Sequence, residues 1–336
     1  MSRPVVQREP SLSPVQTAFL RKLARKTWRF FETFVGPGDN WLPPDSYQET
    51  PIEVIAHRTS PTNMGLSLLA NLAAYDFGYI SARRLIERTT RALETMEGME
   101  RIRGHFYNWY DTITLRPLVP LYVSTVDSGN LAGHLLTLRP GLHELADSPA
   151  LPPQALGGLR DTLGLLAAAA QATRSPDTPG RNGGLAGMRD EIDRLLDALT
   201  SPPAGLRACR SLLDQVTTAA GRIADGLSSE PDAEMEWWAL SFKKQCDEAL
   251  GDLDYLAPWA ELPSPPDVLV GSDGAGEAAV SDSLGDAIRR LDEGPTLRET
   301  ADFGEMLMPA LDGALAALMA DHTRPAREWL DRLRRA

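Results

Sequence analysis

Apolar residues recur at three- and four-residue spacing through most of this chain, and that spacing predicts helices. Phe19, Leu20, Leu23, Thr27, Phe30, Phe31 and Phe34 set a helix from Pro14 to Val35, which Gly36-Pro37-Gly38 ends. Ser60-Pro61 reads as a helix start, with a hydroxyl at the N-cap and a proline where its missing N–H costs nothing. Residues 61–77 are apolar on most sides, as in a helix buried all round. Residues 81–97 differ: Leu85, Ile86, Thr89, Leu93 and Met96 form one stripe, with arginines and glutamates opposite. A buried helix followed by an amphipathic one is the pattern of paired inner and outer helices. Asp127 or Ser128 is placed to cap a further buried helix from Gly129 to Leu138. More helices are readable at about 153–174, 186–199, 204–227, 231–256, 280–292, 297–320 and 324–334, so the chain is expected to be all-α.

Other stretches lack a period. Trp41 to Ala56 is proline-bearing and reads as an ordered loop, and 101–126 is aromatic, without alternation long enough for a strand. Residues 1–14 are polar, Pro-rich and expected to be disordered. Pro263 to Asp282 has linker composition. The expected organisation is therefore a helical region over 15–257, a linker over 258–283 and C-terminal helices over 284–336. Because the chain opens in a Pro-rich segment and stops on Arg-Arg-Ala inside a helical pattern, it is expected to be a piece of something longer.

Composition narrows the function classes. The 336 residues carry a net charge of -12 and a pI near 5.0, which argues against a nucleic-acid partner. Cys209 and Cys246 sit within helical patterns and read as free buried thiols, and no Cys/His cluster has zinc spacing. No stretch reaches the length of a membrane span, and no Gly-rich phosphate loop is present.

Candidate chemistry lies in three short pieces: His57 to Gly65, Gly104 to Thr112 and Tyr122 to Asn130. Phe106, Tyr107, Trp109 and Tyr110, interleaved with His105, Asn108 and Asp111, cannot all face a dry core without partners. Aromatic faces beside Asn, Asp, His and Arg suit a sugar, whose C–H face stacks on a ring while its hydroxyls exchange hydrogen bonds. A satisfied buried network is the alternative. Glycoside chemistry needs two carboxyl groups, and Glu49, Asp111 and Asp127 are the acidic candidates here. Sequence leaves acid and nucleophile unassigned among them.

Thr27-Trp28-Arg29-Phe30-Phe31-Glu32-Thr33-Phe34-Val35, Asn40-Trp41-Leu42-Pro43-Pro44-Asp45, Gln48-Glu49, Ala56 to Asn63, Asp76-Phe77-Gly78, Gly104 to Asp111 and Ser124 to His134 closely resemble cyclic β-1,2-glucan synthases. These bacterial inner-membrane enzymes elongate a β-1,2-glucan from UDP-glucose, trim it and close it into a ring. The likeness falls where their central α/α-barrel domain begins, the domain associated with transglycosylation. It is dense from about Phe19 to Leu138 and thins from about 150 onward. The resemblance implies a partial α/α toroid of inner and outer helix pairs with long ordered loops, no cofactor, and a place in the cytoplasm or on the cytoplasmic side of the inner membrane. It implies a β-1,2-glucan chain and the remaining synthase domains as partners, and a chain inactive on its own. Trp41, Trp109 and Tyr110 would stack glucose rings. His57, Arg58, Asn63, Asn108, Asp111 and Asp127 would bind hydroxyls, with Glu49 and Asn130 beside them, and Arg58, Asp111 and Asp127 would open into one cavity. The alternative is a non-catalytic helical module that binds glucan or packs between domains.

Overall fold

The computed structural model describes residues 12–172, 182–227, 232–270, 282–317 and 324–336. Among these, twelve helices and three two-residue antiparallel ribbons make an all-α chain. Residues 1–11, and the part of the expected linker over 271–281, lie outside the described residues.

The helix starts follow from local chemistry. Helix α1 (Pro14–Phe34) opens on a reciprocal cap: the Ser13 hydroxyl accepts from the Gln16 N–H, and the Gln16 side chain accepts from the Ser13 N–H. Helices α2 (Pro61–Asp76) and α3 (Ala82–Gly98) are capped in the same sense by Ser60 and Ser81. Before α2 lies the ribbon of β1 (Tyr47–Gln48) with β2 (Val54–Ile55), and after α3 that of β4 (Arg101–Ile102) with β5 (His105–Phe106). Strand β3 (Arg58–Thr59) pairs with β6 (Tyr110–Asp111), setting Arg58 opposite Asp111 and Thr59 opposite Tyr110.

Helix α4 (Thr125–Leu145) departs from the sequence reading at both ends. It is capped by Ser124 rather than by Asp127 or Ser128, because the Ser124 hydroxyl accepts from the Asp127 N–H. It also continues past Leu138 through Pro140 to Leu145. Nor is it buried all round. Leu131, Leu138 and Leu145 are buried, while Val126 is 69% and Leu136 74% exposed. The apolar residues that look alike in sequence are divided by which side of the helix meets a neighbour.

Helix α2 packs against α4 and α3, around a core of Met64, Leu68, Met96, Tyr110, Leu131 and Leu138. The second half, α5 (Pro153–Ala172), α6 (Asn182–Thr200), α7 (Leu206–Asp225) and α8 (Ala233–Leu256), encloses its own core around Leu163, Val216, Trp238 and Phe242. A third cluster joins Leu262, Leu269, Leu284, Trp329 and Leu330 from α9 (Asp267–Val270), α10 (Asp282–Glu293), α11 (Leu297–Ala317), α12 (Arg324–Arg335) and the segment before them. The described start of the expected linker is therefore packed, with Ala260 and Leu262 buried.

Two features join the halves. Gly78, at φ +77°, turns the chain between α2 and α3 directly onto α5, where Gly158, having no Cβ, leaves room for its carbonyl. Arg25 of α1 is buried against α5 and α8. It donates from Nε to Thr162 (2.7 Å), pairs with Glu32 (3.0 Å) and lies 5.1–5.7 Å from the ring centres of Tyr79, Trp237 and Trp238. Nearby, Arg29 pairs with Glu234, which also accepts from the Trp238 indole N–H at 2.7 Å.

Candidate functional site

The three polar pieces meet at one end of the α2–α4 layer, where both helices begin. The β3–β6 ribbon supplies the first part. Side chains alternate along a strand, so Arg58 and Asp111 share one face and Thr59 and Tyr110 the other. The second face is the core face, and Thr59 and Tyr110 are both fully buried. Tyr110 therefore cannot stack a glucose ring. Its hydroxyl donates to the Glu100 carbonyl (2.7 Å) and accepts from the Tyr107 N–H (2.8 Å), a satisfied core position.

Arg58 stands on the outer face, 53% exposed at its side chain. Its guanidinium donates to Asp45 Oδ2 from Nη2 at 2.9 Å and from Nε at 3.2 Å, and lies 4.8 Å from the centre of the Trp109 ring. The other oxygen of Asp45 accepts from the Asn63 amide (3.2 Å), so one carboxylate ties β3 to the first turn of α2.

Asp127 plays the matching part on α4. It accepts from the Thr62 hydroxyl at 2.7 Å, and Thr62 in turn accepts from the Asn130 amide at 3.1 Å. Between the two carboxylates lies buried Asn108. With its amide oriented to satisfy every neighbour, the nitrogen donates to Asp127 Oδ2 (2.9 Å). The oxygen accepts from the Tyr122 hydroxyl (2.7 Å) and the Trp109 indole N–H (2.9 Å). Arg58, Trp109, Asn108, Asp127, Thr62, Asn63 and Asn130 thus form one connected set.

Four predicted residues stand apart from it. Asp111 does not face the set: its Oδ1 accepts from the N–H groups of Ile113 (3.0 Å) and Thr114 (2.7 Å) and from the Thr114 hydroxyl, closing its own turn. Trp41 packs toward α3, with the guanidinium groups of Arg84 and Arg88 5.8 and 5.9 Å from its ring. Glu49 is exposed in the β1–β2 loop. His57 binds Asp39, through Nδ1 and Oδ1 at 2.7 Å. The set is moreover open to solvent rather than enclosed, because Arg58, Tyr122, Val126 and Asn130 are all exposed. The expected single cavity shared by Arg58, Asp111 and Asp127 is replaced by a surface shared by Arg58 and Asp127.

Charge states follow from these contacts. Hydrogen bonds from the Thr114 backbone hold the Asp111 carboxyl below the ordinary range. For Asp127, burial opposes ionisation, but hydroxyls of Ser124, Thr62 and Ser60 outweigh it and lower the pKa as well. Both carboxyls are anionic acceptors at neutral pH. A glycosidic general acid needs the opposite shift, so these two suit hydroxyl binding. Among the described residues, no group of three or more His, Cys, Asp or Glu side chains is placed to hold a metal ion.

Sequence reasoning missed Asp45, Thr62 and Tyr122. Asp45 follows Pro43-Pro44, both buried, and an acid on so stiff a loop was the available signal. Thr62 and Tyr122 carried none beyond their place in the motifs.

No protein-family model matches the chain. A Bacteroides fragilis NCTC 9343 structure, named as that of a putative glucoamylase, aligns over 55% of this chain and 37% of its own at 17% identity, with a TM-score of 0.27. That fit is too loose to bear on the fold, which stands on its own helices. Among the described residues, no helix is long and apolar enough to cross a membrane. Over 148 residues, 44% of its length, the chain is 47% identical to the cyclic beta-(1,2)-glucan synthase NdvB of Rhizobium meliloti (strain 1021), of which it spans 5%. The chain is thus similar to a small part of a cyclic β-1,2-glucan synthase.

Proposed function

We propose that this chain is part of a cyclic β-1,2-glucan synthase and forms one wall of the groove that holds the glucan during transglycosylation. The observation that carries this reading is the joining of three motifs, tens of residues apart in sequence, through Asn108. Purely local caps would not need Asn108 to bridge Trp109, Tyr122 and Asp127. Trp109 and Tyr122 supply ring surface, while Arg58, Asn63, Asp127 and Asn130 supply donors and acceptors. The lowered carboxyls bind hydroxyls and do not protonate a leaving group, and on this reading the chain is inactive without the remaining domains. In the cell it belongs on the cytoplasmic side of the inner membrane, beside the remaining domains.

The test is titration of a linear β-1,2-linked gluco-oligosaccharide by calorimetry. Saturable binding is expected, weakened at least tenfold by Trp109→Ala and by Asn108→Ala in chains that still melt cooperatively. Wild-type protein that shows no heat at millimolar oligosaccharide refutes the groove. It would favour the second reading, a module that packs between domains, for which the exposed Val119, Val126 and Leu136 speak.

A further inference from the structure

His57 lies beside the connected set but is held by other residues. Asp39, at the end of a short turn from Pro37, accepts at one oxygen from two donors: His57 Nδ1 at 2.7 Å and the Thr112 hydroxyl. Thr112 is fixed in its turn, because its N–H donates to the His57 carbonyl (3.1 Å) and its own carbonyl accepts from the Asn40 amide (2.7 Å). Thr112 is fully buried and the Asp39 side chain largely so, whereas the imidazole is 40% exposed. A carboxylate has no proton to give, so Nδ1 carries the hydrogen in this contact. In the neutral ring Nε2 then holds a lone pair.

We propose that Asp39 and Thr112 are positioning residues that lock His57 in the Nδ1–H tautomer, so that Nε2 accepts a hydrogen bond from a saccharide hydroxyl. The role rests on the glucan reading above. It adds to the connected set a further uncharged acceptor facing solvent, fixed in direction by its ring. The carboxylates of Asp45 and Asp127 are already engaged by Arg58, Asn63 and Thr62.

Nitrogen-15 NMR of histidine-labelled protein reads the tautomer without ligand, and calorimetry with linear β-1,2-gluco-oligosaccharide reads binding. Wild-type His57 is expected as the Nδ1–H form. Asp39→Ala should mix the two tautomers and weaken binding about tenfold, about 1.4 kcal/mol. Thr112→Val, which keeps the buried shape, should do so less. In a His57→Ala background, Asp39→Ala should change affinity no further, because its effect passes through the ring. A wild-type Nε2–H tautomer overturns the proposal. So does an Asp39→Ala chain that loses the tautomer yet binds as wild type, or one that loses affinity equally without His57. Wild-type protein that binds no oligosaccharide overturns the glucan reading, and this role with it, whatever the NMR shows.

Discussion

Gly78 is where the backbones of the two halves pack against each other, and replacing it by alanine should weaken both. The residue sits at φ +77°, where an L side chain costs about 1–2 kcal/mol. An added Cβ would fall 1.9 Å from the Gln154 carbonyl oxygen and 2.9 Å from the Ala155 Cα, and both neighbours are backbone. They cannot rotate away, so the start of α5 has to shift, at a cost of about 1–3 kcal/mol by analogy with overpacked cores. The lower entropy of the unfolded alanine chain offsets about 0.4–1 kcal/mol. A net loss of about 2–4 kcal/mol is expected. With a urea slope of about 3 kcal/mol/M, this lowers the unfolding midpoint by about 1 M. Gly129→Ala is the control, since its Cβ meets nothing within 4 Å and helical alanine is favoured by up to about 1 kcal/mol. If Gly78→Ala moved the midpoint by less than about 0.2 M, the two halves would not be clasped there.

Three further outcomes follow from the contacts above. Tyr110→Phe strands the Tyr107 N–H and the Glu100 carbonyl, and should cost about 1–3 kcal/mol in urea unfolding with little change in glucan affinity. Asp127 has a depressed pKa when folded, so its stabilising contribution is full above the unfolded carboxyl value of about 3.9 and is lost as pH falls through the folded value. Asp127→Asn should therefore flatten the acid side of a melting-temperature profile below about pH 4. Val126 and Leu136 leave an apolar face on α4 that favours self-association. Sedimentation should show wild-type association reversed by Val126→Lys with Leu136→Lys, at an unchanged melting temperature.

Helix type and most helix starts were legible because they depend on neighbours in sequence: Ser60 before Pro61, and the one-sided stripe of 81–97, need no tertiary information. The start of α4 differs from the expected one because Ser124, Asp127 and Ser128 all offer local caps and Ser124 is the one used. Only the fold reveals that Asp127 is engaged by Thr62. Tyr110 was grouped with Trp109 as a sugar platform. The ribbon that turns one inward and leaves the other on the rim depends on pairing with Arg58–Thr59, some fifty residues earlier, and nothing in nine residues encodes that register. Asp45 was overlooked for a similar reason, since its importance lies in two partners, Arg58 and Asn63, that approach from different elements. Asp111 looked like a site carboxylate, but a downstream Thr114 suffices to satisfy it.

The burial of Arg25 among Tyr79, Trp237 and Trp238 sets an order on the making of this protein. α1 leaves the ribosome well before the two indole rings that flank its arginine, and the Glu234 that pairs with Arg29, which are encoded some two hundred residues later, 205 in the case of Arg29. At about 5–20 residues per second, α1 spends about 10–40 s without them. During that interval the helix that bears the guanidinium can pack only through Trp28 and its neighbours on Tyr75, Tyr79 and Leu85, and the arginine lacks its indole cover. The α1 layer is thus completed from far along the chain, by α8, so a nascent chain stopped before Trp237 leaves Arg25 without its two indole neighbours.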